Sequence, residues 1–288
     1  MRTTVIFILI SLLSFVVCSG QRSGLVEEWI QKDIAGLKTL PTLIEARATT
    51  VDGAAKALGV SSYSDSEDIG FGAYRYKVSR GLGYSRIEIS AVIHRDKILR
   101  YRVLFGDSSR WKEIRAVIIA EWQQHVRVPF KENEDSVYFE FANDDVLKAF
   151  KLEVEEELGR QEDLPKLRRH DIDSYTYLTS PFENSVVGID GCGAGGVVPF
   201  GKNLIDELAA LKKPVVLANV LRGLNPGGRV YALLELTRLK RRNNISDPKV
   251  LDAMRKVANM DLPLMFCEGG VVHMRTAGQI LAAVNLKK

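Results

Sequence analysis

Apolar and polar positions recur along this chain with two periods, and the change from one to the other divides it. Residues 24–40 place Leu25, Trp29 and Ile34 at roughly helical intervals, although the stripe is imperfect, and predict a helix. Thr50 is placed to cap a short helix, Val51–Leu58, that stops at Gly59, a residue suited to a left-handed cap. The stretch 61–70, SSYSDSEDIG, reads as a polar loop. Period-2 alternation then takes over in three segments. Tyr74, Tyr76 and Val78 alternate with Arg75 and Lys77. Ile87, Ile89, Ala91 and Ile93 alternate with Glu88, Ser90, Val92 and His94. Leu99, Tyr101, Val103 and Phe105 alternate with Arg100, Arg102 and Leu104. Short Gly- or Asp-containing joints between them predict an antiparallel meander with one buried face. Arg75, Lys77, Glu88, His94, Arg100 and Arg102 are expected on the wet face.

The helical period returns after Asp107 and Ser108, either of which can cap. Trp111, Ile114, Ile118, Trp122 and His125 form a stripe that reads as core. Residues 136–142 predict another strand. Asn143 or Asp144 caps a helix carrying Leu147, Phe150, Val154 and Leu158, closed by Gly159; its acids Glu153, Glu155, Glu156 and Glu157 are expected to face solvent. The charged, Pro165-containing stretch 160–174 reads as a linker. Beyond it come short helices: one from Lys202, one from Pro214 to Gly223, one capped by Asn225 with Pro226 in its first turn, and one capped by Ser246 or Asp247 with Pro248. Residues 262–275 predict two short strands around Glu268-Gly269-Gly270. Thr276 and Gln279 then have capping-box spacing before a last helix.

The expected fold class is α+β: an N-terminal antiparallel β-meander with packed helices, then a C-terminal mainly helical domain. The expected domains are a signal peptide at 1–20, an α+β domain at 21–159, the linker at 160–174, and a mainly helical domain with a short C-terminal β-hairpin at 175–288. The signal assignment rests on Arg2, the apolar run Val5–Val17 and the small residues Ser19 and Gly20. That run is about 13 residues, short of the ~20 a membrane span needs. Cleavage near Gly20 would give a secreted or periplasmic protein with no transmembrane segment; lipid anchoring through Cys18 is the alternative.

Composition adds little. The net charge of +4 is mild, and the basic clusters 166–170 and 240–242 lack interleaved aromatic residues, so they read as solvated loops and not as nucleic-acid patches. His94, His125, His170 and His273 are scattered without metal-ligand spacing, so no metal is expected. Asn244-Ile245-Ser246 is a glycosylation sequon, meaningful in a eukaryotic source.

Residues 215–239 resemble one unit of a HEAT-type helical repeat, through Pro226, Arg229, Ala232, Leu233 and Leu236. The resemblance implies a packed helix pair, often part of a partner-binding surface. It covers about a tenth of the chain, and no second copy is evident where true solenoids need three or more. The helix-then-meander order of the N-terminal half also resembles small exported binding modules of bacteria.

The glycine-rich stretch 189–201 has three readings. Gly191, Gly193 and Gly196 satisfy a dinucleotide-loop spacing, but Pro199 argues against a helix leaving the loop, and no cofactor is expected. Cys192 as a nucleophile needs an oriented base, for which His170 or His273 are candidates. The favoured reading is structural: with Cys18 removed, Cys192 and Cys267 remain and form one disulfide. The leading expectation is therefore an exported, non-catalytic binding or scaffold protein with a protein partner, met on the helix pair or on the wet face of the meander. The alternative is a small exported hydrolase using Cys192 or acidic residues such as Asp144, Asp145, Asp171 and Asp173. Oligomeric state is not assigned.

Overall fold

The computed structural model describes residues 27–60, 65–106, 111–132, 134–189, 191–192, 196–242 and 245–286. The leader at 1–20 with Cys18, Leu25, Asp107, Ser108, Asp190, Gly193 and the sequon's Asn244 lie outside them, as does the side chain of Trp111.

The fold is mixed α and β. Helix α1 occupies residues 27–37, followed by α2 (Leu40–Ala46) and α3 (Val51–Leu58). The single helix expected over 24–40 is broken because Pro41 lies in the first turn of α2, where a missing N–H costs nothing but where no helix can run through unchanged. A six-stranded antiparallel sheet follows, built from β1 (Asp65–Gly70), β2 (Ala73–Gly81), β3 (Arg86–His94), β4 (Lys97–Gly106), β5 (Lys131–Glu132) and β6 (Ser136–Ala142) in the order β1-β2-β3-β4-β6-β5. Helix α4 (Trp111–His125) sits between β4 and β5 in sequence. The meander stands as read, with one addition: the second half of the presumed polar loop is β1. Its acidic, serine-rich sequence hides a strand because an edge position needs only the ladder supplied by β2. The two-residue turns Phe71-Gly72 and Arg95-Asp96 have positive φ at both positions, as tight hairpins require.

Helices dominate the C-terminal half: α5 (Asp144–Leu158), α6 (Arg169–Thr179), α7 (Phe200–Ala210), α8 (Pro214–Leu221), α9 (Pro226–Arg241), α10 (Pro248–Ala258) and α11 (Ala277–Leu286). A three-stranded sheet joins β7 (Val187–Gly188), β8 (Leu264–Glu268) and β9 (Val271–Arg275) in that order. The capping chemistry is legible. Thr50, Asn143, Asn225 and Asp247 each accept first-turn backbone N–H groups through their side chains. Thr276 and Gln279 bond reciprocally at the start of α11. Pro199, expected to stop a helix, is instead the N-cap of α7, one residue ahead of the position where proline is best tolerated. Helix α6 has no apolar stripe to announce it; it starts where Arg168 N–H and its guanidinium close onto Asp171.

Contacts group the chain into two compact units. The first comprises the described residues up to Ser66, then Tyr76–Ala91 and Arg100–Ala142. Its core is one sheet face, with Tyr76, Val78, Ile89, Tyr101, Val103 and Phe105, closed by Leu40, Leu43, Ile118 and Trp122 from helices. Tyr101 donates to Leu43 O at 2.7 Å, and burial pushes its phenol up to about 12, so it remains a donor at any physiological pH. Asp33, fully buried, accepts the backbone N–H groups of Gly83, Tyr84 and Ser85 and so fixes the β2–β3 turn.

The second unit holds the hairpin tips Glu67–Arg75 and Val92–Leu99 and everything from Asn143 onwards. Its centre is α8 with the first half of α9, both buried along their length. Arg229 is the unusual occupant of that core. Its Nε donates to Gly223 O at 2.8 Å and its Nη2 to Leu224 O at 3.1 Å, so the cation caps the carbonyl end of α8. The guanidinium also lies 4.8 Å from the Phe71 ring centroid. Burial lowers its pKa to about 9, still well above neutrality.

Two expected wet-face groups are buried. Glu88 lies beneath Lys77 and Arg86, both paired to it. His94 packs on Phe150 and pairs with Glu153 at 3.2 Å. Glu153 is thus not a solubilising residue, and Glu155 and Glu157 are likewise engaged, by Lys151 and Arg160 and by Lys256.

Candidate functional site

The site grows from β8 and β9. Gly269 and Gly270 both have positive φ, at 57° and 83°, which makes a two-residue hairpin with Glu268 opposite Val271, Cys267 opposite Val272, Phe266 opposite His273 and Met265 opposite Met274. Alternation sends Phe266 and His273 to one face and Cys267, Val272, Met265 and Met274 to the other. Phe266 and Cys267 are fully buried, while Val271, Val272 and Met274 are each more than half exposed. On the inner side β7 pairs parallel with β8, and Tyr231 locks it: Gly188 N–H donates to Tyr231 Oη at 2.9 Å.

Cys267 carries the disulfide to Cys192, with Cα atoms 5.7 Å apart, inside the ordinary range. The bond joins the hairpin to the glycine loop. That loop folds back on itself: Cys192 N–H donates to Val197 O at 2.7 Å, and a Cβ on Gly191 would lie 2.3 Å from Gly196 O. The next residues, Val197, Val198 and Phe200, are exposed at 69%, 38% and 59%. Phe200 rests edge-on against Tyr177. The segment of Val197, which pairs with Cys192, is thereby tied to β8 on the hairpin face that Val272 and Met274 share.

With its sulfur bonded to Cys267, Cys192 is not a thiolate, and neither proposed base approaches it through a hydrogen bond. His170 pairs with Glu207 at 2.9 Å, and His273 points to the hairpin face opposite the disulfide. Asp171 is held by Arg168, whose guanidinium bonds keep its carboxyl below the usual carboxylate range. Among the described residues no group of three or more metal-ligating side chains forms, and no helix is long and apolar enough to cross a membrane. No family model, curated protein or solved structure matches this chain.

The second unit also has a cleft of about 500 Å³, lined by Asp68, Phe71, Glu157, Arg255, Lys256 and Asp261. Its cations are already engaged, Lys256 by Glu157 and Asp252, Arg255 by Asp252, so it offers no spare charge of that sign to a ligand. In the helix pair α8–α9, expected to meet a partner, Val216–Leu221 and Pro226–Leu234 are buried. Lys240 and Arg241 occupy the last turn of α9, where cations suit the carbonyl end of a helix. The exposed apolar residues of β9 did not stand out in the sequence, because valines and a methionine in a short strand look like core.

Proposed function

We propose that the protein is exported and works as a non-catalytic binding protein, engaging an extended polypeptide strand along the edge strand β9. The carrying observation is that Val272 and Met274, both more than half exposed, share the hairpin face of the disulfide-bonded Cys267 at a sheet edge. Exposed apolar patches of this kind mark interaction sites in soluble proteins. A free sheet edge adds backbone hydrogen bonds to whatever strand lies along it. Export is supported by the charged-apolar-small order of residues 1–20 and by the disulfide, which persists in oxidising compartments. The HEAT-like features of 215–239 fit a role as the buried scaffold beneath this surface.

The test is a photoreactive side chain placed at Val272 in the protein as its source exports it. The expected result is a covalent polypeptide adduct that Met274→Pro diminishes, on a mature chain beginning near Gln21. A natural product that keeps Met1, or a Val272 position that never yields an adduct, would sink the reading.

A further inference from the structure

The outer edge of β9 has a pattern that specifies its occupant. A two-residue turn makes Glu268 and Val271 a hydrogen-bonded pair, so His273 also turns its N–H and C=O inward to β8. Strict alternation then turns the N–H and C=O of Val272 and Met274 outward. These are the backbone groups an added strand must satisfy.

We infer that the occupant is a second copy of this chain, joined β9 to β9 in antiparallel register about a two-fold axis through His273; this rests on the reading of that surface as a binding site. In this register Val272 of each copy lies opposite Met274 of the other as a hydrogen-bonded pair, and four backbone hydrogen bonds form. His273 meets its own counterpart in the non-hydrogen-bonded position. The two three-stranded sheets become one of six strands. Because Val272, Met274 and Cys267 share a face, four apolar side chains meet there, flanked by both disulfide-tied loops.

Two observations favour a second copy over an unrelated strand. The edge is self-complementary: one register satisfies its outward backbone groups and matches apolar to apolar at both related positions. Charge does not oppose it, since Arg275, the one full charge on β9, is held by Glu268 at 3.2 Å and lies over the Phe266 ring.

The experiment combines sedimentation of the exported protein with a His273→Cys variant. The wild type is expected to sediment as a dimer that dissociates on dilution. Met274→Pro removes an outward N–H from each copy and should weaken the dimer about thirtyfold, leaving the β8–β9 ladder intact. Val272→Lys, which leaves the backbone unchanged, should weaken it as well. In His273→Cys the two thiols face each other at a non-hydrogen-bonded site, and mild oxidation should give a covalent homodimer. A monomer at every concentration, with Cys at 273 remaining a free thiol, overturns the inference. In that event a Val272 photo-adduct to a different polypeptide leaves the binding-surface reading standing, while the lack of any adduct removes both.

Discussion

The two sheets treat their edges in opposite ways. The six-stranded sheet ends in β1, whose exposed sequence is acidic, and in β5, two charged residues long. Both edges carry the features by which natural sheets avoid pairing with strangers: charge and shortness. In the three-stranded sheet, β7 is equally short and is buried beside Tyr231, but β9 offers Val271, Val272 and Met274 to solvent with no lysine, proline or bulge to guard it. One sheet is built to stay as it is. The other is left open on one side, beside a β8 that one disulfide joins to Cys192.

Ways of breaking this contrast can be ordered by size. Replacing Cys192 and Cys267 by Ser removes a cross-link spanning 75 residues and should cost about 4 kcal/mol of stability in chemical denaturation. The same change should free the Cys192 segment from β8. In the guarded sheet, Asp33→Ala leaves three backbone N–H groups of the β2–β3 turn without their acceptor. It should cost about 3 kcal/mol while leaving partner binding intact, measured by the same denaturation and by sedimentation.

A smaller effect comes from removing a guard. Lys131→Val with Glu132→Val turns β5 into an apolar edge and should make the first unit self-associate by light scattering, with stability changed by less than about 1 kcal/mol. Smallest is a pH effect. The Arg168 guanidinium holds Asp171 below its unfolded value, so the stability this pair gives α6 is present above that unfolded value, near pH 4, and is lost as pH falls through the folded value. Asp171→Asn should flatten the acid limb of the stability profile and leave neutral binding unchanged.

Much of the architecture was readable from local chemistry. Period-2 runs located β2, β3, β4 and β6, and side-chain caps located the starts of α3, α5, α9 and α10. Glycine pairs between alternating runs located the β8–β9 hairpin, and cysteine arithmetic located the disulfide. What escaped depends on neighbours distant in sequence. β1 is a strand only because β2 lies beside it. Helix α6 depends on an Arg–Asp closure rather than on an apolar stripe. Glu88 and His94 look like surface residues until Lys77, Arg86 and Glu153 are placed around them. The candidate site escaped for the reverse reason: Val272 and Met274 look like core residues, and only the topology leaves β9 at an edge.

Amide hydrogen exchange along β9 tests the central claim most directly, because alternate residues serve as test and control. His273 N–H points into the hairpin and should be protected at any protein concentration. The Val272 and Met274 N–H groups point outward and should be protected at high concentration and lose that protection on dilution. Free exchange of both at every concentration, beside a protected His273, would contradict the account.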